Sequence, residues 1–319
     1  MKLIKPSFEI IKQGPGLLGI YKQIELAGRT CYKSESNITD KSAEEFVDRM
    51  FKLGHGAMLE HGTVYLTIPD REPDEFGRMD YGHVGVGNYS ANKYSKVTYK
   101  NYYQEPNETQ KDYCSKIPRT TTYITTNLRV LVENGWFEDL QYLCEPTEHH
   151  EKRVTVKFIC DRGVTHEFVR HRTMSFAQES TRYCNYSKDK FNKELTFILP
   201  PWMDDIQRGQ HDPATILSQA YGFIPFECEP GEYQEILFLE TLAYAEINYN
   251  TLIEQGWKPQ EARAVLPNAI KSELIMTGFV SDWKHFFDLR AIGTTGAPHP
   301  QAKELAEPLL QEFINNKYL

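Results

Sequence analysis

Apolar residues recur along this chain with two different periods, and the switches between them mark its elements. Val154, Val156, Phe158 and Cys160 alternate with Thr155, Lys157 and Ile159, the period of two that a strand imposes. Asp161 follows, a good helix cap, and the pattern predicts a helix over 162–169. Leu17, Leu18, Ile20, Tyr21, Ile24 and Leu26 share a helical face over 16–28. Ser42-Ala43-Glu44-Glu45 has the form of a capping box, with Phe46, Met50, Phe51 and Leu53 as the apolar face behind it and Gly54 as its stop. Further strands are expected over 8–11, 64–68, 121–125, 195–199 and 272–277. Further helices are expected over 127–133, 230–255, 259–264, 282–289 and 300–315. Strands and helices mix without the regular alternation of a doubly wound parallel sheet. The expected fold is α/β of the α+β kind, a single domain over 1–319 with a mixed or antiparallel sheet flanked by helices.

Charge and composition narrow the function. The chain carries 44 acidic and 36 basic residues, a net charge of -8. That balance, without a basic stripe interleaved with aromatics, argues against a nucleic-acid polymer as partner. No apolar run approaches the ~20 residues of a membrane-spanning helix. The first residues lack a signal-peptide pattern, so the expected location is the cytoplasm, with no membrane partner. The six cysteines are scattered without a Cys-x-x-Cys pair, so free thiols are expected and no metal site.

Against this acidic background one run stands out. Residues 170–182 read Arg-His-Arg-Thr-Met-Ser-Phe-Ala-Gln-Glu-Ser-Thr-Arg, with three arginines in thirteen positions. Arginine presents a planar, permanently charged fork of donors that fits phosphate and carboxylate oxygens. A dense local cation cluster in an anionic chain points to one anionic ligand. The expected placement is the end of the 162–169 helix and the loop after it.

The run resembles the signature of the flavin-dependent thymidylate synthases: Arg-His-Arg, seven intervening residues, Ser, and Arg two places on. It is met by Arg170, His171, Arg172, Ser180 and Arg182. Ala27-Gly28-Arg29-Thr30-Cys31-Tyr32, the stretch from Gly54 to Thr63 with its Glu60-His61 pair, Ala262-Arg263-Ala264-Val265-Leu266-Pro267 and His285 to Arg290 are similar to other segments of that family, in the same order. Residues 70–150 fit least well and read as an enlarged insertion.

The resemblance implies reductive methylation of dUMP to dTMP. Methylenetetrahydrofolate would supply the carbon, FAD the hydride, and NADPH would reduce the flavin. It implies catalytic roles for Arg182, Ser180 and Arg290. It implies dUMP contacts from Glu167, Arg170, Gln178, Glu179, Ser180, Arg182, Arg263 and Arg290. FAD contacts would come from His61, Thr63, Arg170, His171, Arg172, Gln178 and His285. A homotetramer with shared active sites follows from the same likeness. Two positions depart from it: Phe279 stands where many members carry Asn, and Ser281 where they carry Arg or a similar polar residue.

Two other patterns compete. Gly14-Pro15-Gly16-Leu17-Leu18-Gly19 fits Gly-x-Gly-x-x-Gly, which would suit a flavin- or nicotinamide-dependent reductase. A dinucleotide fold requires a buried strand before it and an acidic residue about 20 positions on, and neither is clean here. His166 and His171 are five apart, about 140° around a helix, and unsuited to a shared zinc. No cysteine follows a proline, so the Pro-Cys-His nucleophile of the other thymidylate synthases is missing. A nucleotide-binding homologue without catalysis is the remaining alternative.

Overall fold

The computed structural model describes residues 1–69, 86–104, 117–203, 205–221 and 232–319. Its strands are β1 (Lys2–Ile4), β2 (Ser7–Ile11), β3 (Thr63–Ile68), β4 (Lys96–Gln104), β5 (Ile117–Asn127), β6 (Arg153–Asp161), β7 (Ser175–Gln178), β8 (Thr196–Ile198), β9 (Gly209–Gln210) and β10 (Lys271–Phe279). Its helices are α1 (Gly16–Tyr32), α2 (Ser42–Lys52), α3 (Gly56–Leu59), α4 (Val86–Ala91), α5 (Leu128–Asn134), α6 (Arg162–Phe168), α7 (Pro213–Tyr221), α8 (Glu232–Glu254), α9 (Pro259–Ala262), α10 (Val280–Phe287) and α11 (Pro300–Asn315). The α+β expectation holds, with the described strands divided among three sheets.

The four-stranded sheet carries the site. Its order is β2-β6-β10-β7, and every pairing is antiparallel. Because strand side chains alternate, β6 and β10 present two different faces. Val154, Val156, Phe158, Cys160, Leu274 and Met276 turn to one side and pack with α10 and α11. There Trp283 is fully buried among Phe158, Phe286, Phe287 and Phe313, and its indole N–H donates to the Val154 carbonyl at 3.0 Å. On the opposite face Ile275 meets Ala177 and Ala27 of α1. Thr277 bonds Thr155 directly across the β6–β10 pair at 2.8 Å.

The antiparallel sheet β3-β5-β4 buries its inner side against α1, α2 and α5. The third sheet, β8-β1-β9, mixes one parallel and one antiparallel pairing and packs with α8. Asp161 caps α6 through its side chain, as expected, and Asn127, expected inside its helix, caps α5 in the same way.

Several local expectations need correction. The 16–28 helix runs on to Tyr32 and closes on Lys33 in the left-handed region. Ser42 is the first residue inside α2, not its cap; its hydroxyl is taken by Thr39 and by the buried Glu25 carboxylate. β3 is buried on both faces, because Val64 and Leu66 enter the core while Tyr65 packs on His150. Part of the arginine-rich run is the strand β7 rather than loop. The helix expected over 259–264 is a single turn, and the one expected from 282 begins at Val280. The start of the 230–255 helix and much of the 70–118 stretch lie outside the described residues, as do Cys114 and Cys228. Cys31, Cys144, Cys160 and Cys184 are free thiols.

The apparent dinucleotide motif has a different explanation. Among the described residues β2 pairs with antiparallel β6 alone, so no parallel βαβ unit surrounds it there. A Cβ on Gly19 would sit 1.9 Å from the Gly14 carbonyl oxygen, so the tight turn into α1 itself requires glycine there.

The aromatic cluster sets a stability test. Trp283→Ala removes the largest buried side chain and is expected to cost about 3–5 kcal/mol, read as a lower urea midpoint.

Candidate functional site

The arginine-rich run begins where α6 ends. Phe168 and His171 turn inward while Arg170 and Arg172 point to solvent. Arg290, in the π-turn Asp288–Ile292 after α10, closes the end of α6. Its guanidinium forms a short ion pair with Glu167 and donates to the Glu167 carbonyl at 3.0 Å. An arginine at a helix C-terminus satisfies carbonyls that lack an intrahelical donor.

His171 lies beside this pair. Arg290 Nε–H donates to His171 Nε2 at 3.5 Å, which requires the Nδ1–H tautomer. His171 is 7% exposed and packs against Phe286 and the exposed His285, whose ring centre is 5.8 Å away. Burial, with the Arg290 charge and His285 adding to it, pulls its pKa down to about 4.

Along β7 successive side chains part. Gln178 faces α6, and its amide N–H donates to Thr165 Oγ1 at 2.8 Å and Ser272 Oγ at 3.1 Å. Thr165 Oγ1 donates to the Arg162 carbonyl, which fixes this amide orientation. Glu179 turns the other way. It is 1% exposed, pairs with Lys271 at 2.8 Å and accepts from Tyr186 O–H at 3.1 Å. Glu179, expected to contact the substrate, has its carboxylate engaged inside the protein. Glu273 lies beside it among Lys33, Lys157 and Lys271. Burial alone would raise the Glu273 pKa, but the three ammonium groups hold it well below the carboxylate range.

The turn after Glu179 is pinned to α1. Ser180 N–H donates to the Cys31 carbonyl at 2.9 Å, so it is not free for a ligand. Its hydroxyl oxygen accepts from Arg182 N–H at 3.3 Å, and its own proton stays available. Tyr183 packs on Tyr32, with ring centres 5.2 Å apart. Arg263, distant in sequence, reaches this turn by donating to Thr181 Oγ1 at 3.2 Å. The side chains of Arg170, Arg172 and Arg182 are exposed and make no hydrogen bond or ion pair among the described residues.

His61 and Thr63 sit on the α1 side of the sheet. His61 is fully buried, with Nδ1 bonded to Thr277 Oγ1 at 2.8 Å and Nε2 lacking a hydrogen-bond partner. Burial and the nearby Arg153 charge lower its pKa to about 3. Thr63 is clamped by the Gln13 amide through both backbone groups, and its hydroxyl accepts from Arg153 at 3.3 Å. Phe279, at the end of β10, is buried with Arg153 and Lys96 over its ring at 5.5 and 5.6 Å. Ser281 is exposed, and its N–H donates to Glu151.

The structure thus joins Glu167, His171, His285 and Arg290 in one cluster and Thr181 with Arg263 in another. His61 lies in a third, with Thr155 and Thr277. The sequence reading missed the polar residues of β10, of which Thr277 holds His61 and Ser272 accepts from Gln178. The alternation of Glu273, Ile275 and Thr277 within an otherwise apolar strand was the available signal.

Exposed arginines whose side chains make no hydrogen bond or ion pair among the described residues have the donor chemistry to engage an anionic group. The chain belongs to the thymidylate synthase complementing protein family, whose profile matches residues 90–316. A flavin-dependent thymidylate synthase of Mycobacterium bovis is 32% identical over 174 residues, covering 54% of this chain and 60% of that protein. One of Pyrococcus furiosus with the same description is 31% identical over 131 residues, covering 41% and 43% respectively. The chain therefore spans less than two thirds of these relatives. The UMP/dUMP methylase PolB of Streptomyces cacaoi, solved with 5-Br dUMP, aligns over 99% of this chain and 93% of its own at 14% identity, with a TM-score of 0.40.

The depressed His171 pKa carries a pH signature. Between about 6.5, the ordinary histidine value, and about 4, the unfolded imidazole is protonated while the folded one is not. Stability contributed by His171 is present above that window and lost as pH falls through it. His171→Gln should flatten the decline in unfolding free energy between pH 6.5 and 4, as measured by urea titration.

Proposed function

We propose that this protein is a flavin-dependent thymidylate synthase that converts dUMP to dTMP, with methylenetetrahydrofolate as carbon donor and NADPH as reductant. The observation that carries the proposal is the state of the arginines. Arg170, Arg172 and Arg182 stand exposed at the family spacing, with no hydrogen bond or ion pair from their side chains among the described residues, while Glu167, Gln178 and Glu179 beside them are engaged.

Arg170 and Arg182, joined by Arg263 across Thr181, bind the anionic and carbonyl oxygens of dUMP. Arg182 beside the pyrimidine carbonyl stabilises negative charge as the ring gains a substituent. Ser180 donates its hydroxyl proton to the nucleotide. Its oxygen has no neighbouring base among the described hydrogen bonds, so it orients the substrate and does not attack it. Gln178, with its N–H groups turned to Thr165 and Ser272, presents Oε1 to a ring N–H. Arg290 is balanced by Glu167 and steadied by neutral His171, an arrangement that orients charge near the uracil edge.

The residues present fit a flavin dinucleotide. Arg172 supplies an exposed cation, His171 and His285 supply imidazole surfaces, and the orphaned His61 Nε2 supplies an unused polar atom beside Thr63. When bound, FAD supplies the hydride, and the chain's own contribution is binding, alignment and exclusion of water. We read the chain as one catalytic domain with an enlarged insertion over 70–150, acting in the cytoplasm as a homotetramer with shared sites. The half-exposed apolar side chains of Leu237, Tyr244 and Ile247 on α8 support association between copies.

Tritium release from 5-tritiated dUMP tests the proposal. Release that needs FAD, NADPH and methylenetetrahydrofolate together is expected. Arg182→Ala should reduce it by at least about 100-fold, a loss of roughly 2.7 kcal/mol in transition-state stabilisation. No release from FAD-loaded protein given both co-substrates would refute the assigned reaction.

A further inference from the structure

Two buried carboxylates lie close to the turn that carries Ser180 and Arg182, and they are not equally provided for. Glu273 is reached by three ammonium groups: Lys33 at 2.7 Å, Lys271 at 2.8 Å and Lys157 at 2.5 Å. Glu179, which directly precedes Ser180, is 1% exposed and has Lys271 as its ion-pair partner among the described residues, 2.8 Å from Oε2. Its other oxygen accepts from Tyr186 O–H at 3.1 Å, a neutral donor. Burial works against the Lys271 charge, but the two carboxylates more than offset it, and its pKa is raised. Lys271 therefore serves both carboxylates, and only Glu179 depends on it.

The backbone around these charges leads straight to the turn. Glu179 N–H donates to the Glu273 carbonyl at 2.8 Å, and Ser180 N–H donates to the Cys31 carbonyl at 2.9 Å. The second bond ties the turn to the last residues of α1. Lys33, which closes α1 in the left-handed region, reaches Glu273 from that side. The ion network thus holds both partners of the Ser180–Cys31 bond, one through Lys33 and the other through Lys271 and Glu179. A carboxylate left buried without its cation is costly, so it takes a proton or moves toward water. Without the Lys271 charge, Glu273 keeps Lys33 and Lys157, while Glu179 keeps one bond from Tyr186. The strain of that loss falls on Glu179 and, one residue on, on Ser180.

We infer that Lys271 is a positioning residue for the ligand site: its ammonium, by holding Glu179 inside the protein, sets where Ser180 and Arg182 stand. Lys271 opens β10 and lies far from the arginine-rich run in sequence, so spacing within that run gives no sign of it. Its loss acts in two ways. The turn loses its fixed geometry, which raises the entropy cost of binding. A negative charge is also freed three residues from Arg182, where it opposes an anionic ligand. The consequence for dUMP rests on the function proposed above; the placement of the turn does not.

The test compares Lys271→Met, which keeps a long side chain and removes its charge, with the double variant Lys271→Met, Glu179→Gln. Amide hydrogen exchange reads the turn directly. Ser180 N–H should exchange at least about tenfold faster in Lys271→Met, while Leu274 and Met276, further along β10, keep their protection. Binding of dUMP should weaken on the order of tenfold or more in the same variant. In the double variant both changes should shrink to within about threefold of the wild type, because Glu179 no longer needs a cation. Unchanged Ser180 exchange in Lys271→Met would overturn the inference, as would faster exchange with undiminished dUMP affinity. Equal loosening at Leu274 and Met276 would overturn it too, since that marks a general loss of packing. A double variant no better than the single would do the same. Should Lys271→Met not fold, Lys271→Gln, which keeps a donor without the charge, carries the same comparison. If the wild-type chain binds no dUMP, the proposed function fails, and Ser180 exchange alone decides the role of Lys271.

Discussion

The pairing of β10 with strands on both sides is the constraint on which the rest of the structure depends. Eight of its nine residues are buried, and it bonds β6 along its whole length and β7 along part of it. An antiparallel register cannot slip by one residue without exchanging the two faces. One face must therefore give Leu274 and Met276 to the aromatic core, and the other must give Glu273 and Thr277 to the α1 side. That single alternation places the buried carboxylate that gathers three lysines and the hydroxyl that holds His61. It also orients Gln178 and Glu179, adjacent in sequence, toward opposite sides of the sheet.

The same frame separates locked charges from free ones. Glu179, Glu273, Lys271 and Lys33 neutralise one another beneath the sheet, and Glu167 balances Arg290 at the end of α6. These pairs hold the backbone of the motif against α1 and β10 while leaving the Arg170, Arg172 and Arg182 side chains without hydrogen bonds or ion pairs among the described residues. Buried ion pairs of this kind contribute little net stability, because desolvation offsets their attraction. Their consequence here is positional. The arginines that meet solvent do so from the turns on either side of the short strand β7, which limits the entropy lost when a ligand is bound.

Much of this was legible in the sequence, for physical reasons. The alternation of Val154, Val156, Phe158 and Cys160 and the cap at Asp161 specified β6 and α6 locally, and both formed as expected. The arginine spacing pointed to a candidate site because such residues are unusual together in an acidic chain. What could not be read were choices made by distant partners. Ser42 looked like a cap until Glu25, from another helix, claimed its hydroxyl. Glu179 looked like a ligand contact until Lys271 and Tyr186 turned it inward. Gly14 to Gly19 looked like a phosphate loop because a tight strand-to-helix turn also demands glycine. Short strands such as β7 and β9 carry too few residues for a period to emerge.

Calorimetric titration of dUMP into the wild-type chain and into Arg170→Ala and Arg182→Ala tests the central claim most directly, namely that the uncommitted arginines form the nucleotide site. Saturable binding that weakens at least about tenfold in each variant is the result this account requires. Binding of equal strength in all three proteins, or no binding to the wild type, would contradict it.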